Sequence, residues 1–377
     1  MPKIYLDNAA TTPLHEEVIE VISEQLRSNY GNPSSTHEVG RKARVMLELT
    51  RKNIAEYFKC SPLQILFTAG GSEADNLVLQ NAVHSWGIKQ IISSPIEHHA
   101  VLHTLDALKK ENELSVRYVR LNEFGDIDLM HLENLLQNCK EPCLVSLMLV
   151  NNEIGNILDA ERVCQLCSKY DALFHSDTVQ AIGHLDFDLK RLPIDFIAAS
   201  AHKFHGPKGV GFAVVKRGLQ IEPLVHGGEQ EMGTRAGTEN THSIAGMNKA
   251  FSMAIENFED DKKFISELKQ YFIVQLQKNI EGIKFNGRSA DPEKGAFHIL
   301  SVRFPKDIPM LLFNLDLKGI AASGGSACQS GSNAGSHVLT NLLDEQEAAK
   351  TSVRFSFSRH NTKKEIDQVI TALIDLV

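Results

Sequence analysis

"DFIAASAHKFHGPKGVGFAVV", residues 195–215, sets two apolar runs around a short polar loop. Residues 195–200 and 209–215 read as buried strands. Between them Ser200, His202 and Lys203 follow the order S-x-H-K, and the glycine-rich "HGPKGVG" comes next. A lysine directly beyond an apolar strand is either a solvated strand end or an amine held near a ligand for Schiff-base chemistry, and its neighbours decide between the two.

Working outward, further short apolar runs alternate with helical patterns. "QILFT" (64–68), "QIISS" (90–94), "VRYVRL" (116–121), "CLVSLMLV" (143–150) and "ALFHSD" (172–177) read as buried strands. This order predicts an α/β fold with a mostly parallel central sheet, helices on both faces, and ligands at the carboxyl ends of the strands. Past about residue 240 the rhythm changes to long helical stretches, shorter strands, "SVRFSFSR" and a final helix. The division expected is a large unit over 14–250 and a smaller α+β unit built from 1–13 and 251–377. The first dozen residues are too short to fold alone and must pack against one of the two.

Thirty-nine Lys and Arg against 47 Asp and Glu give a formal charge of −8, with no basic run to neutralise a row of phosphates. That points away from nucleic acid. No segment approaches membrane-spanning length, and "MPKIYLDNAATTP" reaches Asp7 before any signal-like apolar stretch, so the expected compartment is the cytoplasm. Six cysteines do not make a disulfide scaffold in a chain of 377 residues. Cys139 and Cys143, and Cys164 and Cys167, form two pairs, but neither has the turn glycines of a zinc site around it, so all four read as core and surface thiols and no metal is expected. The sixth, Cys328, differs: "ASGGSACQSGSNAGSH" (322–337) surrounds it with four glycines and five serines. A buried thiol would sit among apolar residues, so this one reads as a thiol that must move or react.

"TAGGSEADN" (68–76) follows a strand and opens a helix, where Gly70 and Gly71 let the backbone approach an anion closely; the alternative is a glycine turn with Ser72 as an ordinary N-cap. "HSDTVQA" puts Asp177 and Gln180 just past a buried strand, where a carboxylate is costly unless it meets a cation. With Asp177 available to pair a pyridine nitrogen, the S-x-H-K motif leans toward chemistry: it suits the phosphate and aldehyde of one pyridoxal cofactor.

"YLDNAATTP", "GNPSSTH", "TAGGSEADN", "EHHAV", "NNEIG", "HSDTVQA", "SAHKFHGPKG", "RAGTEN", "GGSACQSGS" and "VRFSFSR" together resemble, in order, the motifs of the NifS/IscS-type cysteine desulfurases. These are pyridoxal 5'-phosphate enzymes of fold type I, related to the class V aminotransferases. The resemblance runs from residue 5 to the final helix. It implies that Lys203 carries the cofactor and that L-cysteine becomes L-alanine. Cys328 takes the sulfur as a persulfide and passes it to an acceptor such as an iron–sulfur scaffold protein. It further implies that His98 stacks on the pyridine ring, Asp177 pairs the ring nitrogen and Gln180 bonds the phenolic oxygen. Gly71, Ser72, Ser200 and His202 would hold the phosphate, with Thr238 reaching in from a second subunit of a homodimer. Asn152 and Arg354 would hold the substrate carboxylate.

Three positions depart from the family pattern. "GGEQEMGTRAGT" has Glu229 where a glycine is usual and Met232 where an arginine is usual, and Ser72 replaces a common threonine while keeping the hydroxyl. A transaminase of the same fold needs no thiol loop, a selenocysteine lyase uses nearly the same site, and an idle scaffold would have no reason to keep Lys203, Asp177, His98 and Cys328 together.

Overall fold

The computed structural model describes residues 3–111, 113–324 and 335–377. Its strands, in chain order, are β1 (Ile4–Tyr5), β2 (Ile65–Thr68), β3 (Gln90–Ser93), β4 (Ser115–Tyr118), β5 (Cys143–Ser146), β6 (Leu173–Asp177), β7 (Phe196–Ser200), β8 (Gly211–Val215), β9 (Lys284–Phe285), β10 (Ile299–Arg303), β11 (Ile320–Ala321) and β12 (Ser352–Ser356). Seven of them form the main sheet in the order β2-β8-β7-β6-β5-β3-β4. β4, β3, β5, β6 and β7 run parallel, while β8 is antiparallel to both β7 and β2.

Every residue of β2, β3, β5, β7 and β8 is buried, as expected for strands covered on both faces, and this is why they read as continuous apolar runs. One expectation fails in part. The stretch 116–121 is not a buried strand: β4 has only β3 beside it and is largely exposed, so Arg117 and Tyr118 face solvent. The run 143–150 likewise leaves the sheet after Ser146, where its backbone turns to border the site described below.

Helices cover both faces. The helix Gly71–His84 buries Ala74, Leu77, Val78 and Ala82 against one side. Helix Glu38–Phe58 and helix Thr241–Glu256 contribute Leu47, Ile54, Phe58, Ile244, Met247 and Phe251 to the other. A second core lies around the antiparallel sheet β12-β10-β9 and the parallel pair β1-β11. Phe272 of helix Phe258–Asn279 meets Phe355 edge-on there, with ring centroids 5.1 Å apart. The closing helix Lys363–Leu376 starts on a capping box: Glu365 N–H donates to Thr362 Oγ1, and Thr362 N–H donates to the Glu365 carboxylate.

The first residues pack against both cores rather than one. Ile4 and Leu6 join the small core, while Thr12 N–H donates to the His202 carbonyl of the large one at 2.9 Å. Lys269, almost wholly buried, donates Nζ to the carbonyls of Ser289 and Ala296 at 2.7 and 2.8 Å, and burial lowers its amine to about 8.

The loop bearing the family departures is fastened from below. Arg51 forks onto Glu231, Nη2 to Oε1 at 2.8 Å and Nη1 to Oε2 at 3.1 Å, and Phe67 N–H also donates to Oε2 at 2.9 Å. Both side chains are buried. Removing one partner strands the other charge in a dry site, so Glu231→Ala should cost about 3–5 kcal/mol of unfolding free energy. The double change Arg51→Met with Glu231→Met should cost less than that single one. Denaturant unfolding decides; a Glu231→Ala loss below about 1 kcal/mol would show the pair to be screened like a surface bridge.

Candidate active site

The carboxyl ends of β5, β6 and β7 open on one side of the sheet, and the start of helix Gly71–His84 faces them. They enclose a cavity of about 230 Å³. Lys203 reaches it from a single 3₁₀ turn, Ala201–Lys203, that follows β7 directly. Its Nζ donates to the carbonyls of Ala9 and Ala10 at 2.7 and 2.9 Å. Gln180 Nε2 donates to the same Ala9 carbonyl at 2.8 Å. His202 pairs Nδ1 with Thr11 Oγ1 at 3.1 Å, and burial, then the charges of Lys203 and Lys208, lowers its ring to about 4.

Asp177 closes β6 and is buried, with one oxygen accepting from Val179 N–H at 2.9 Å. Burial raises its carboxyl, and His98 and Lys203 oppose that rise. His98 accepts at Nδ1 from Ala100 N–H at 3.1 Å, so the neutral ring carries its proton on Nε2. Burial holds the ring below its ordinary value and keeps it neutral. Such a ring donates from Nε2.

Two further buried acids stand within electrostatic reach of Asp177, Asp75 in the cavity wall and Glu97 beside it, and neither was singled out from sequence. Asp75, four residues into helix Gly71–His84, is fully buried; burial, then Asp177 and Glu97, raise its carboxyl. His175 Nε2 lies 3.4 Å from its Oδ1, and burial lowers that imidazole to about 3, so the contact joins a neutral ring to an acid rather than two charges. Glu97, also buried, accepts from Met148 N–H at 3.1 Å and from Ser94 Oγ at 2.8 Å, yet burial still pushes it up to about 8. The signal for Asp75 was its place one turn past the glycines; for Glu97, its place beside His98.

The helix start settles the reading of "TAGGSEADN". The N-cap is Gly70, at φ 151, and no side chain caps the turn, so Ser72 is a residue of the first helical turn and not its cap. A Cβ on Gly71 would lie 2.4 Å from Val179 Cγ2, and one on Gly211 would lie 2.8 Å from Gly70 Cα. The glycines therefore let the helix start pack against the strand ends while its N–H groups stay open to an anion. Ser72, Ser200 and His202 line the same cavity.

Arg354 lies on β12 with its guanidinium buried. Nη2 meets Asp7 Oδ1 at 2.9 Å and Nη1 donates to the Asn152 carbonyl at 2.8 Å, while Nε has no partner. Asn152 and Arg354 both border the cavity. Asp7, a third residue missed from sequence, also accepts from Ser323 Oγ at 2.9 Å. Thr238 is not part of this cavity: it is exposed and borders a separate hollow with Glu231 and Arg235. Cys328 lies outside the described residues.

The family model for class-V aminotransferases matches residues 4–369. The chain belongs to that family. It is 37% identical over 375 residues to the cysteine desulfurase IscS of Dictyoglomus turgidum, covering 98% of this chain and 93% of that enzyme. Among solved structures, a NifS-like protein superposes with a TM-score of 0.90 at 33% identity, over 99% of this chain and 98% of its own. A structure of SspA in complex with cysteine superposes with a TM-score of 0.81 at 28% identity, over 95% and 100%. Within the family the chain stands among the pyridoxal-phosphate-dependent cysteine desulfurases of fold type I.

The cavity suits that cofactor on its own terms. It offers a lysine amine, an uncapped helix start ringed by hydroxyls for a phosphate, and a buried carboxylate in need of a cation, which a protonated ring nitrogen supplies.

Glu97 carries its proton in the fold up to about pH 8 but loses it near pH 4.5 once unfolded. Its stabilising effect is therefore complete below pH 4.5 and fades as pH rises toward 8. Relative to the wild type, Glu97→Gln should gain in unfolding free energy across that window, by up to about 1.4 kcal/mol per pH unit. Paired denaturation series from pH 5 to 8 test this, and parallel curves would mean that Glu97 is ionised in the fold.

Proposed function

We propose that this enzyme converts L-cysteine to L-alanine and takes the sulfur on Cys328 as a persulfide. The observation that carries the reading is the meeting of Lys203, Asp177 and His98 with Arg354 around one cavity. The first three suit the cofactor. The last is a buried guanidinium whose Nε still lacks a partner, suited to an amino-acid carboxylate.

Pyridoxal phosphate, when bound, supplies an electron sink conjugated to the Cα of an amino acid. The chain's residues do the remainder. Gly71, Ser72, Ser200 and His202 hold the phosphate, Gln180 the phenolic oxygen, and Asp177 keeps the proton on the ring nitrogen. Lys203 would provide the amine that carries the cofactor, and His98, which lines the same cavity, would face it with a donatable Nε2 proton. Asn152 and Arg354 orient the substrate carboxylate. Cys328 attacks the substrate sulfur: the Cβ–S bond breaks, an S–S bond forms, and a proton replaces sulfur on Cβ. Atoms balance without an outside reagent, because sulfur is oxidised as carbon is reduced.

The same reading makes 14–250 the cofactor-binding unit and places 1–13 with 251–377 in the unit carrying Cys328. It also sets the enzyme in the cytoplasm as a homodimer, with Thr238 completing the neighbouring phosphate site and an iron–sulfur scaffold or similar protein accepting the sulfur. Among the described residues no helix is long and apolar enough to cross a membrane.

Incubation with L-cysteine and a thiol reductant should release alanine and sulfide in equal amounts. Cys328→Ser should abolish both while cysteine still perturbs the cofactor's absorbance, and borohydride reduction of the resting enzyme should fix the pyridoxyl group to Lys203. Alanine release undiminished in Cys328→Ser would refute the persulfide route; a keto-acid-dependent amino transfer in its place would support a transaminase. Mixed dimers of a Lys203→Ala chain with a Thr238→Ala chain should retain one intact site. Cofactor binding no better than in the Thr238→Ala homodimer would overturn the shared site.

A further inference from the structure

On the far side of the Lys203 loop, three histidines from distant stretches of the chain come together. His15 precedes the helix Glu16–Ser28, His205 follows Lys203 by two residues, and His360 lies in the turn between β12 and the last helix. One ring nitrogen of each lies within 4.8 Å of the others. His15 stacks on His205 with centroids 4.3 Å apart, and His360 stands 5.5 and 5.4 Å from the two.

His205 is prepared as a ligand. A carbonyl only accepts, so Nδ1, 2.8 Å from the Pro13 oxygen, bears the proton and donates it. Nε2 keeps its lone pair, in the carbonyl-oriented arrangement usual for a metal-binding histidine. The backbone is fixed as well: His205 N–H donates to Thr12 Oγ1 at 2.7 Å, at φ 64, a region an L side chain enters only when its surroundings hold it there. Burial lowers His205 to about 3 and holds His15 below its ordinary value, so both rings present the neutral form that binds metals.

We propose that His15, His205 and His360 form a binding site for a divalent transition-metal ion of the zinc type. Three imidazoles favour zinc, copper or nickel over the hard cations. Asp261 lines the same hollow but meets Arg359 Nε at 3.4 Å, which leaves the fourth position to water. Ligand nitrogens about 2.0–2.1 Å from a tetrahedral ion stand about 3.3 Å apart, so the three must draw in by about 1.5 Å at most. His360 is exposed and can swing to do so, while His205 stays fixed. A bound ion would tie the loop carrying Lys203 to the N-terminal segment and to the turn after β12. The site is separate from the cofactor cavity, so it does not depend on the proposed chemistry.

The cofactor-loaded, full-length protein, freed of metal by a chelator, is titrated with Zn²⁺ and separately with Co²⁺. One ion per chain is expected. Co²⁺ should give visible d–d absorption without a sulfur-to-cobalt charge-transfer band, and Zn²⁺ at a hundredfold excess over its Kd should raise the thermal midpoint by about 3 °C. His15→Ala and His360→Ala should each weaken binding at least tenfold; the exposure of His360 lets its variant fold, and unchanged pyridoxal absorbance checks it. Affinity retained in both variants, a thiolate charge-transfer band, or no binding at millimolar Zn²⁺ would overturn the assignment.

Discussion

Three buried carboxyl groups, Asp75, Glu97 and Asp177, lie within electrostatic reach of one another at the end of the main sheet, and most of the site follows from how that burden is met. A single buried carboxylate costs several kcal/mol unless it is protonated or paired. Here burial raises all three, and it takes Glu97 to about 8, so that acid keeps its proton at neutral pH. Asp177 differs from the other two because His98 and Lys203 pull against its rise. It is the acid best placed to ionise when a cation arrives. A pyridinium nitrogen is such a cation, and the energy of pairing it is greatest where water is scarce.

The segment from Asp7 to Thr12 carries that arrangement into the rest of the molecule. Asp7 holds Arg354 and Ser323, Ala9 N–H donates to Ser356 Oγ at 2.8 Å, and the Ala9 carbonyl receives both Gln180 and Lys203. Thr12 then reaches the backbone of His202 and His205. Six residues thus connect the small antiparallel sheet to the Lys203 turn through the side chains of Asp7 and Thr12 and the backbone of Ala9.

The main sheet was legible because strands covered on both faces must be apolar throughout, and "QILFT", "DFIAAS" and "GVGFAVV" meet that demand. "VRYVRL" misled because its alternation is equally that of a margin strand, and nothing local tells which strand has only one neighbour. The glycines, Lys203, Asp177 and Ser200 were legible since each stands directly at a strand or helix end. Asp7 was not: its partner Arg354 lies 347 residues away, and sequence separation of that kind leaves no periodic trace. Glu231 escaped for the same reason, being joined to Arg51 across 180 residues.

That last pair explains how the chain tolerates its departures from the family pattern. Glu231 and Met232 are successive non-glycine residues at φ 46 and 57, each costing on the order of 1–2 kcal/mol. The fork from Arg51, with the Phe67 N–H beside it, makes Glu231 the fixed point of the loop. Glu229 and Met232, on either side, are exposed. Exchanging a glycine for a glutamate and an arginine for a methionine therefore leaves the anchor untouched and changes only the outer face, by two units toward the negative. Such a change acts on the rate and choice of encounter more than on the fold, so the departures belong to whatever meets this surface rather than to the chemistry beneath it.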